Sequence, residues 1–488
     1  MRSRWLLPAA VLVGVILHAP AVGVPILNED EALYAAGAAA MREGLPPYVA
    51  WVESKPPGVF YLYQAAFAVV GRYHMEALHA LTIVWLLATG LVLARLVGPR
   101  AGPFAALFFY VFTTVQEPSV LATQCELLYS LPLALAALAL ARPGLGRALA
   151  AGASIGLATI IKPTAVALLA AAGAWLVFRR RPALAFAAAL AIGFASVWAA
   201  AFLYFSHLGV WDDLVYYAFQ WTTRIYVPTG FAELSWLSRF VAKVGVWVML
   251  LIVPWTLAVR AAWRERGELT RLLGLWLVAA MAMICLGGRF FDHYFPAAVT
   301  PLAALAGIGA AGALRRGLGW LAAAGTALPA LGCFALALDF EPSMRLLGDS
   351  GRGPYLQVSG YVREHTRPDD RVFVWGYFPL IYVAADRVPA TRFVGCHYLT
   401  GYAAIGLGRE LPREVEDRLA VPGGIGALIA DLEARKAEVI IDTAPADLHH
   451  WARYPLARYP ALADYVAAHY VREAEVDRTI VYRLRSKS

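Results

Sequence analysis

Residues 5–34 read WLLPAAVLVGVILHAPAVGVPILNEDEALY, and this stretch decides the fold class. Its first 20 residues are apolar and long enough to cross a bilayer. Its last part places two adjacent carboxylates, Asp30 and Glu31, just beyond that span. Carboxylates so close to a bilayer are costly to desolvate, which indicates a function. The sequence therefore predicts an ordered extramembrane loop over residues 25–74.

The remainder of the chain is also dominated by apolar runs. Of its 488 residues, 60% are hydrophobic and 16% are charged, whereas about a quarter of the residues in a soluble domain are charged. We predict a polytopic α-helical membrane protein with about eleven spans. The first span follows the basic start Met1-Arg2-Ser3-Arg4, and because more spans follow, we expect an uncleaved anchor rather than a signal peptide. The predicted spans are 5–24, 75–97, 102–116, 124–141, 147–161, 163–178, 183–206, 237–260, 270–287, 296–313 and 317–338.

Arginines between the spans predict the orientation. With a cytoplasmic N-terminus, every inner loop carries arginine and almost no acid, which is the positive-inside pattern. We therefore expect a multi-pass protein of the bacterial plasma (inner) membrane, with the carboxylate loop and the C-terminal region on the outer side. The short spans on either side of Lys162 are alternatively a broken or re-entrant pair. The inner-loop arginines are Arg2, Arg4, Arg95, Arg100, Arg142, Arg147, Arg179, Arg180, Arg181, Arg260, Arg264, Arg266, Arg271, Arg315 and Arg316.

The composition changes near Asp339, which predicts a domain boundary there. We expect a membrane module over 1–339 and an extracytoplasmic α/β domain over 340–488. Residues beyond the boundary are richer in charge and alternate between helical and strand-like patterns. The predicted elements are a helix at Pro354–His365, strands at Arg371–Trp375 and Glu438–Asp442, and a hairpin of Val471–Val476 and Thr479–Leu484.

The sequence also argues against several classes of protein. The net charge of +8 does not indicate nucleic-acid binding, because the arginines are scattered through short loops. No internal repeat is evident, which weakens a transporter built on repeats. A zinc site or disulfide framework is not expected, since the cysteines are widely spaced and form no CxxC pair. They are Cys125, Cys285, Cys333 and Cys396.

Asp30 is the main candidate for chemistry. A short helix is predicted at Ala35–Met41, with Asn28 or Asp30 as its N-terminal cap. A helix start holds a carboxylate ionised, and an ionised carboxylate that faces a polar pocket can accept a proton from an attacking hydroxyl. The neighbouring Glu31 is expected to orient Asp30, to help hold a metal, or to face water.

Cationic residues elsewhere suit a lipid-linked phosphate. Pro56-Pro57 fixes an extended segment after Lys55, which aims at a phosphate or, alternatively, snorkels to the headgroups. Gly287–Pro296 ends a span, and Arg289 and His293 would share a face if this segment is helical. Charge fits a phosphate head and aromatic surface fits a lipid tail. The alternative is an interfacial aromatic belt with an anchoring arginine.

Glu126 and Lys162 complete the candidates. Each lies at the predicted outer end of a span, where a lipid-facing charge would be expensive, so both are predicted to point into an outer cavity. A salt bridge between such groups is the structural alternative. Acids and cations from distant parts of the sequence thus map to one membrane face. Neither ATP nor nucleotide sugars are normally available there, so an activated group would have to arrive on a lipid carrier.

Several motifs occur in a recognisable order. They are Asp30-Glu31-Ala32-Leu33-Tyr34, Lys55-Pro56-Pro57-Gly58, Glu126, and Arg289 with His293-Tyr294. From the N-terminus to about residue 310, this order resembles the GT-C glycosyltransferases that use polyprenyl-phosphate sugars. The motifs are similar to those of the bacterial protein-mannosyltransferase-like branch and of the aminoarabinose transferases of lipid A. The stretch Tyr361–Phe393 resembles the outer domain of bacterial members.

The resemblance implies a reaction and a role for each residue. A sugar passes from polyprenyl phosphate, such as undecaprenyl phosphate, to an acceptor hydroxyl on the outer face, with inversion. Asp30 is the implied general base. Lys55 and Arg289, helped by His293, neutralise the phosphate as it gains negative charge. Glu126 resembles a second acidic position on the acceptor side, and the further cavity residues are Lys162, Tyr34 and Tyr294.

Departures from these relatives leave the metal and the acceptor open. The aminoarabinose enzymes carry an acid directly before the lysine, whereas here Ser54 intervenes and Glu53 is displaced. The acids around Asp30 are not the Asp-x-Asp pattern of metal-dependent relatives, so we expect no metal requirement. If a divalent metal binds, Asp30 and Glu31 are its ligands. The acceptor is a glycan, a lipid or a protein.

Two other functions compete with this hypothesis. A transporter or flippase for a lipid-linked substrate predicts charges in mid-span and access from both faces, whereas these charges cluster at one end. An oligosaccharide polymerase or ligase with diphosphate-linked donors predicts a large outer loop with arginines and a histidine late in the chain.

Overall fold

The computed structural model describes residues 5–115, 117–142, 144–178, 184–231, 234–314, 319–339, 353–403 and 410–485. Apolar helices dominate the part before residue 339, as the sequence predicts. Short 3₁₀ turns lie at Ala19–Gly23, Pro118–Leu121, Pro163–Val166 and Asp292–Tyr294, and π-helical turns at Val215–Tyr226 and Phe240–Val244. The α-helices are α1 (Leu6–His18), α2 (Glu29–Met41), α3 (Gly58–Val70), α4 (Met75–Val97), α5 (Gly102–Phe112), α6 (Cys125–Leu140), α7 (Leu145–Ile161), α8 (Ala167–Val177), α9 (Leu184–His207), α10 (Trp211–Leu214), α11 (Val227–Phe231), α12 (Ser235–Arg239), α13 (Gly245–Leu250), α14 (Ile252–Arg264), α15 (Glu268–Cys285), α16 (Pro296–Leu314) and α17 (Gly319–Leu338).

Helix length and hydropathy give candidate membrane spans among these described elements. Five segments are each long and apolar enough to cross a bilayer: Leu6–Gly23, Met75–Val97, Leu184–His207, Glu268–Cys285 and Pro296–Leu314. Shorter apolar helical segments of 10–17 residues are Gly58–Val70, Gly102–Phe112, Cys125–Leu140, Leu145–Ile161, Pro163–Val177 and Gly325–Leu338, so the predicted number of about eleven spans stays a prediction.

One predicted span is interrupted. The sequence predicts a continuous span over 237–260, but the chain bends by 80° between Ser235–Leu250 and Ile252–Arg264. Leu251 leaves the helical conformation with φ −108° and ψ 24°. Pro254 then lies in the first turn of α14, where its missing N–H costs no helical hydrogen bond. The two halves together form a sixth candidate span.

Helix α2 begins earlier than predicted. It starts at Glu29 rather than Ala35, because Asn28 is extended and its side chain accepts a hydrogen bond from the Glu31 N–H at 3.0 Å. Asn28 is therefore the cap, and the alternative that Asp30 caps this helix is wrong. Asp30 instead lies in the first turn, where the helix dipole favours a carboxylate.

Glycines bring α7 and α9 into close contact. A Cβ at Gly152 would lie 2.0 Å from the Leu190 carbonyl oxygen, and a Cβ at Gly193 would lie 2.0 Å from that of Leu149. Small residues allow such approach between helices in a membrane. At the end of α7, a Cβ at Gly58 would lie 2.7 Å from the Ile160 carbonyl oxygen. This packing places the loop that carries Lys55 beside the end of α7.

The C-terminal region is a mixed α/β domain, as predicted. Its strands β1 (Arg371–Trp375), β2 (Val388–Pro389), β3 (Val439–Asp442), β4 (Tyr470–Val476) and β5 (Thr479–Leu484) form one sheet in the order β2-β1-β3-β5-β4. β1 pairs in parallel with β2 and β3, whereas β5 is antiparallel to β3 and β4. The predicted boundary at 339/340 borders residues 340–352, which lie outside the described residues. The helices are α18 (Gly353–His365), α19 (Leu380–Ala385), α20 (His397–Thr400), α21 (Arg413–Leu419), α22 (Gly424–Arg435) and α23 (Pro460–His469).

The sheet domain is bound to residues 49–52, between α2 and α3, through backbone and side-chain contacts. The Val52 N–H donates to the Arg392 carbonyl at 2.8 Å, and Arg435 Nη2 donates to the Val49 carbonyl at 2.5 Å. The residues that follow α3 are also bound, since Arg72 Nε lies 2.9 Å from a carboxylate oxygen of Asp386. The sheet domain therefore lies directly against the loop that contains the candidate site.

Candidate active site

Asp30 lies where the first loop meets the 287–295 segment. Its Oδ2 is 3.5 Å from Nε2 of His293, so two residues far apart in sequence are in contact. Burial raises the pKa of the Asp30 carboxyl, but nearby positive charge, chiefly from Lys55, outweighs burial and leaves the pKa below its ordinary value. Asp30 is therefore an ionised carboxylate at neutral pH.

Lys55 supplies the main charge beside Asp30. Its Nζ donates to Glu53 Oε1 at 3.0 Å and lies 5.5 Å from the centre of the Tyr34 ring. Burial lowers the pKa of Lys55, but the carboxylates of Glu53 and Asp30 raise it well above its ordinary value. Glu53 also accepts from Ser54 N and Oγ. Glu53 is separated from Lys55 by Ser54 in the sequence, but its carboxylate still contacts the lysine.

Lys162 and Glu126 form an ion pair in the same region. The salt bridge, which is the structural alternative for these two residues, is therefore present. The side chains of Lys162 and Glu126 are only 13% and 2% exposed. The ammonium of Lys162 also lies 4.4 Å from the centre of the Tyr294 ring. The Tyr294 hydroxyl is 2.7 Å from that of Tyr226. The ion pair thus lies against the Tyr294 ring, which Tyr226 holds in place next to His293.

His293 is uncharged at neutral pH. Burial lowers its pKa below the ordinary value, and the opposing pull of Asp30 and Glu126 does not restore it. The contact with Asp30 is therefore between a carboxylate and a neutral imidazole, which can donate one hydrogen bond. Asp30, Lys55 and His293 keep 18%, 18% and 21% of their side chains exposed, so a ligand can reach all three.

Glu31 points away from Asp30 into the protein. Its side chain has 0% exposure, which excludes the interpretation that it faces water. Its oxygens accept from Leu27 N at 2.5 Å and Thr123 N at 3.0 Å, and Oε2 lies 3.1 Å from His79 Nε2. His79 Nδ1 donates to the Ala21 carbonyl at 2.8 Å. One carboxylate thus ties the start of α2 to three neighbouring segments.

Arg289 is in a different position from the one the sequence suggests. The segment is helical only at Asp292–Tyr294, and Gly287, Gly288 and Phe290 have positive φ, so Arg289 and His293 do not share a helical face. Arg289 is 2% exposed. Its Nη2 donates to the Ala403 and Tyr226 carbonyls at 2.6 and 3.2 Å, and its guanidinium stacks 3.8 Å from the Tyr226 ring centre.

Two residues of the sheet domain also reach the site. The charges of Lys55 and Asp30 act on His397, and burial, with Lys55 adding to it, lowers the pKa of His397 to about 3. The Tyr377 ring lies 5.0 Å from that of His397 at 90°. Burial raises the pKa of Tyr377 well above its ordinary value, and Asp30 and Glu53 add to the shift.

The described residues do not fit a metal site. They contain no group of three or more His, Cys, Asp or Glu side chains arranged to hold an ion. Glu31 already accepts from backbone N–H groups and faces His79, away from Asp30. Asp30 faces Lys55 and a neutral histidine rather than further carboxylates. We therefore assign no step to a metal.

Sequence reasoning missed several residues of the site. A signal existed for His79, since an ionisable residue inside a predicted span is expensive and often functional. No signal marks Tyr226, Tyr377 or His397, because only the folding of the π-helical segment Val215–Tyr226 and of the sheet domain brings them here. In contrast, the structure brings together Asp30 and the other sequence candidates near it: Tyr34, Lys55, Glu126, Lys162, His293 and Tyr294.

Two solved structures of ArnT from Cupriavidus metallidurans have a fold similar to that of this chain. The structure bound to undecaprenyl phosphate has a TM-score of 0.64 at 13% identity and covers 99% of this chain and 98% of that chain. The apo state gives 0.58 at 13% identity, with 98% and 97% covered. At this identity the likeness shows the fold alone.

Other comparisons add no further assignment. An oligosaccharyltransferase from Archaeoglobus fulgidus, solved as a complex with Zn and sulfate, covers 98% of this chain and 73% of its own at 14% identity. Its TM-score of 0.48 is too low to carry an argument. No family model and no curated protein sequence matches the chain.

Proposed function

We propose that this protein is an integral membrane glycosyltransferase that transfers a sugar from a polyprenyl-phosphate donor to an acceptor hydroxyl. The observation that carries the proposal is that the partly exposed Asp30 carboxylate, in contact with His293, lies within the electrostatic influence of the charged Lys55, which is held by Glu53. The fold supports it, because a similar fold is bound to undecaprenyl phosphate in ArnT. The inner-loop arginines favour an outer-face site in a bacterial plasma membrane.

Asp30 acts as the general base in this proposal. The acceptor O–H gives its proton to the Asp30 carboxylate while the oxygen attacks the anomeric carbon from the side opposite the phosphate. The bond between the anomeric carbon and the phosphate oxygen breaks, and its electrons leave with polyprenyl phosphate. The configuration at the anomeric carbon inverts. No cofactor is needed to balance this step.

Lys55 stabilises the leaving phosphate. The phosphate changes from one negative charge towards two during the step, so positive charge placed there beforehand lowers the barrier. His293 is a neutral donor beside it. We assign Arg289 an indirect part, because it donates to the carbonyls of Tyr226 and Ala403 and so holds the turn that carries His293.

Glu126, Lys162 and Tyr294 form the acceptor side of the proposed site. The ion pair fixes both charges, and the Tyr226–Tyr294 hydroxyl pair fixes the aromatic ring below Lys162. Because these polar side chains are already fixed in position, they can orient an incoming hydroxyl without moving during the reaction. The acceptor is an envelope glycan, a lipid or a protein side chain.

Binding of sugar-free undecaprenyl phosphate tests the phosphate site. We expect Lys55→Ala to weaken affinity by about tenfold to a hundredfold, since a hydrogen bond to a charged group contributes about 1.5–3 kcal/mol. Lys436→Ala, the same change at an exposed position of the sheet domain, is the matched control and should bind as the wild type does. Native mass spectrometry of the detergent-solubilised protein measures the affinities. Equal affinity in Lys55→Ala, or no binding by the wild type, contradicts the proposal.

A further inference from the structure

His397 is a buried polar residue that the proposed reaction leaves without a role. It is 5% exposed, and its Nδ1 has no hydrogen-bond partner among the described residues. An unsatisfied buried polar group costs about 1–3 kcal/mol, so such an atom calls for an explanation. A bound ligand that supplies the missing partner is one.

The surroundings of His397 are neutral and aromatic. The Tyr377 and Trp221 rings lie 5.0 and 5.8 Å from it, at 90° and 71°. The His397 ring stays uncharged because burial and Lys55 lower its pKa to about 3. Burial also keeps the Tyr377 phenol neutral, since it raises the pKa of Tyr377. His397, Tyr377 and Trp221 therefore form a wall that offers neutral donors and acceptors beside flat apolar faces.

The charged part of the site lies next to this wall. Both His397 and Tyr377 lie within the electrostatic influence of Asp30 and Lys55. A phosphate is matched by Lys55, but the sugar it carries has uncharged hydroxyls and apolar C–H faces. Such a group is recognised by a few placed polar atoms on an aromatic lining, which is what His397 and Tyr377 of the sheet domain provide together with Trp221.

We propose that His397 and Tyr377 form a subsite for the donor sugar, in which their ring nitrogen and phenol hydrogen-bond the hydroxyls of a neutral monosaccharide. The inference rests on the proposed function. It adds that the sheet domain binds the sugar, while the loop that carries Lys55 binds the phosphate. The contacts of Val52 and Arg435 with this domain hold the two parts together.

The test compares lipids with and without a sugar. Native mass spectrometry measures binding of undecaprenyl phosphate and of undecaprenyl-phosphate glucose, mannose and arabinose. We expect the wild type to bind at least one glycolipid more tightly than the bare lipid phosphate. His397→Phe and Tyr377→Phe, which keep ring size, should reduce that preference about fivefold each, as expected for one lost hydrogen bond. Their affinity for the sugar-free lipid should stay within about twofold of the wild type.

Controls separate recognition from folding. His469→Phe makes the same change at an exposed position of the same domain and should keep the wild-type preference. Lys55→Ala should weaken both kinds of lipid alike. If His397→Phe weakens both kinds alike, its role is structural and the inference is overturned. A wild type without any sugar preference, or an unchanged preference in both Phe variants, overturns it as well. Failure of the wild type to bind undecaprenyl phosphate instead overturns the proposed function.

Discussion

Asp30 is kept ionised by its protein neighbours, and this has a consequence for pH dependence. The pKa of Asp30 is lowered mainly by Lys55, that of His293 is lowered by burial, and that of Lys55 is raised by Glu53. None of the three groups therefore changes charge between about pH 7 and pH 9.

We expect a flat profile of kcat/KM over that range. Activity should fall only in acid, because a protonated Asp30 cannot accept a proton, and its lowered pKa places this loss below the ordinary range of an aspartate. Initial rates of sugar transfer in isolated membranes measure the profile. An acid limb near pH 6.5 that disappears in His293→Asn would show that His293, not Asp30, controls the rate.

Glu31 is a positioning residue in this account, since it contacts the protein on all sides and not the reacting atoms. Glu31→Gln replaces one acceptor oxygen by an NH₂ group, so Leu27 N or Thr123 N loses its partner. We expect kcat to fall about tenfold to a hundredfold, because small displacements of a base are costly. Affinity for undecaprenyl phosphate should not change.

Glu76→Gln is the matched control for this variant. Glu76 is an exposed acid in the first turn of α4, the helix that carries His79. It should keep the wild-type kcat. An unaltered kcat in Glu31→Gln would rule out the positioning role, whereas a parallel loss of lipid affinity would indicate a general structural defect.

Strand β3 ends at a buried acid, Asp442, whose ionisation makes the stability of the sheet domain depend on pH. Asp442 is 5% exposed and accepts from Ala444 N at 3.0 Å, and burial raises its pKa to about 6. The folded state thus holds this proton more tightly than the unfolded state. The stability from this group is present in acid and is lost as pH rises from the ordinary aspartate range through about 6.

Asp442→Asn keeps the acceptor oxygen and removes the ionisation. We expect the variant to be more stable than the wild type at pH 8, by up to about 3 kcal/mol, and equally stable near pH 4. Thermal unfolding followed over this pH range, or hydrogen exchange in the sheet, measures the difference. A stability difference that does not vary with pH would show that Asp442 does not titrate as described.

At the level of elements, local signals predicted best. An apolar run predicts β1 and the last two strands are predicted as a hairpin, and the structure confirms these strands within one residue. The sequence predicts the start of α2 too late, because the run of acids before Ala35 resembles a loop, although acids favour a helix N-terminus. The bend at Leu251 has no signal in hydropathy, since both halves are apolar.

At the level of the whole molecule, the sequence predicts the membrane fold, which the structure confirms, while the roles of the charged residues stay predictions. Asp30, Lys55 and His293 converge as expected. Their neighbours Tyr226, Tyr377 and His397 come from distant segments, and Arg289 turns to the sheet domain instead of facing the others. Such assignments depend on long-range packing, which no local pattern records.

The central claim is that Asp30 is the base of a sugar transfer from a lipid phosphate. Asn has nearly the same shape as Asp but cannot accept the proton, so Asp30→Asn should lower transfer by about 10² to 10⁴ while undecaprenyl phosphate still binds. Asp369→Asn, at an exposed position of the sheet domain, is the matched control and should transfer normally.

The deciding measurement is mass spectrometry of envelope lipids and glycans from cells with no gene, the wild type, Asp30→Asn or the control, at equal expression. The account predicts a glycosylated product in the wild type and the control that is absent without the gene and nearly absent in Asp30→Asn. Wild-type amounts of product in Asp30→Asn, or no product that depends on the gene, would contradict it.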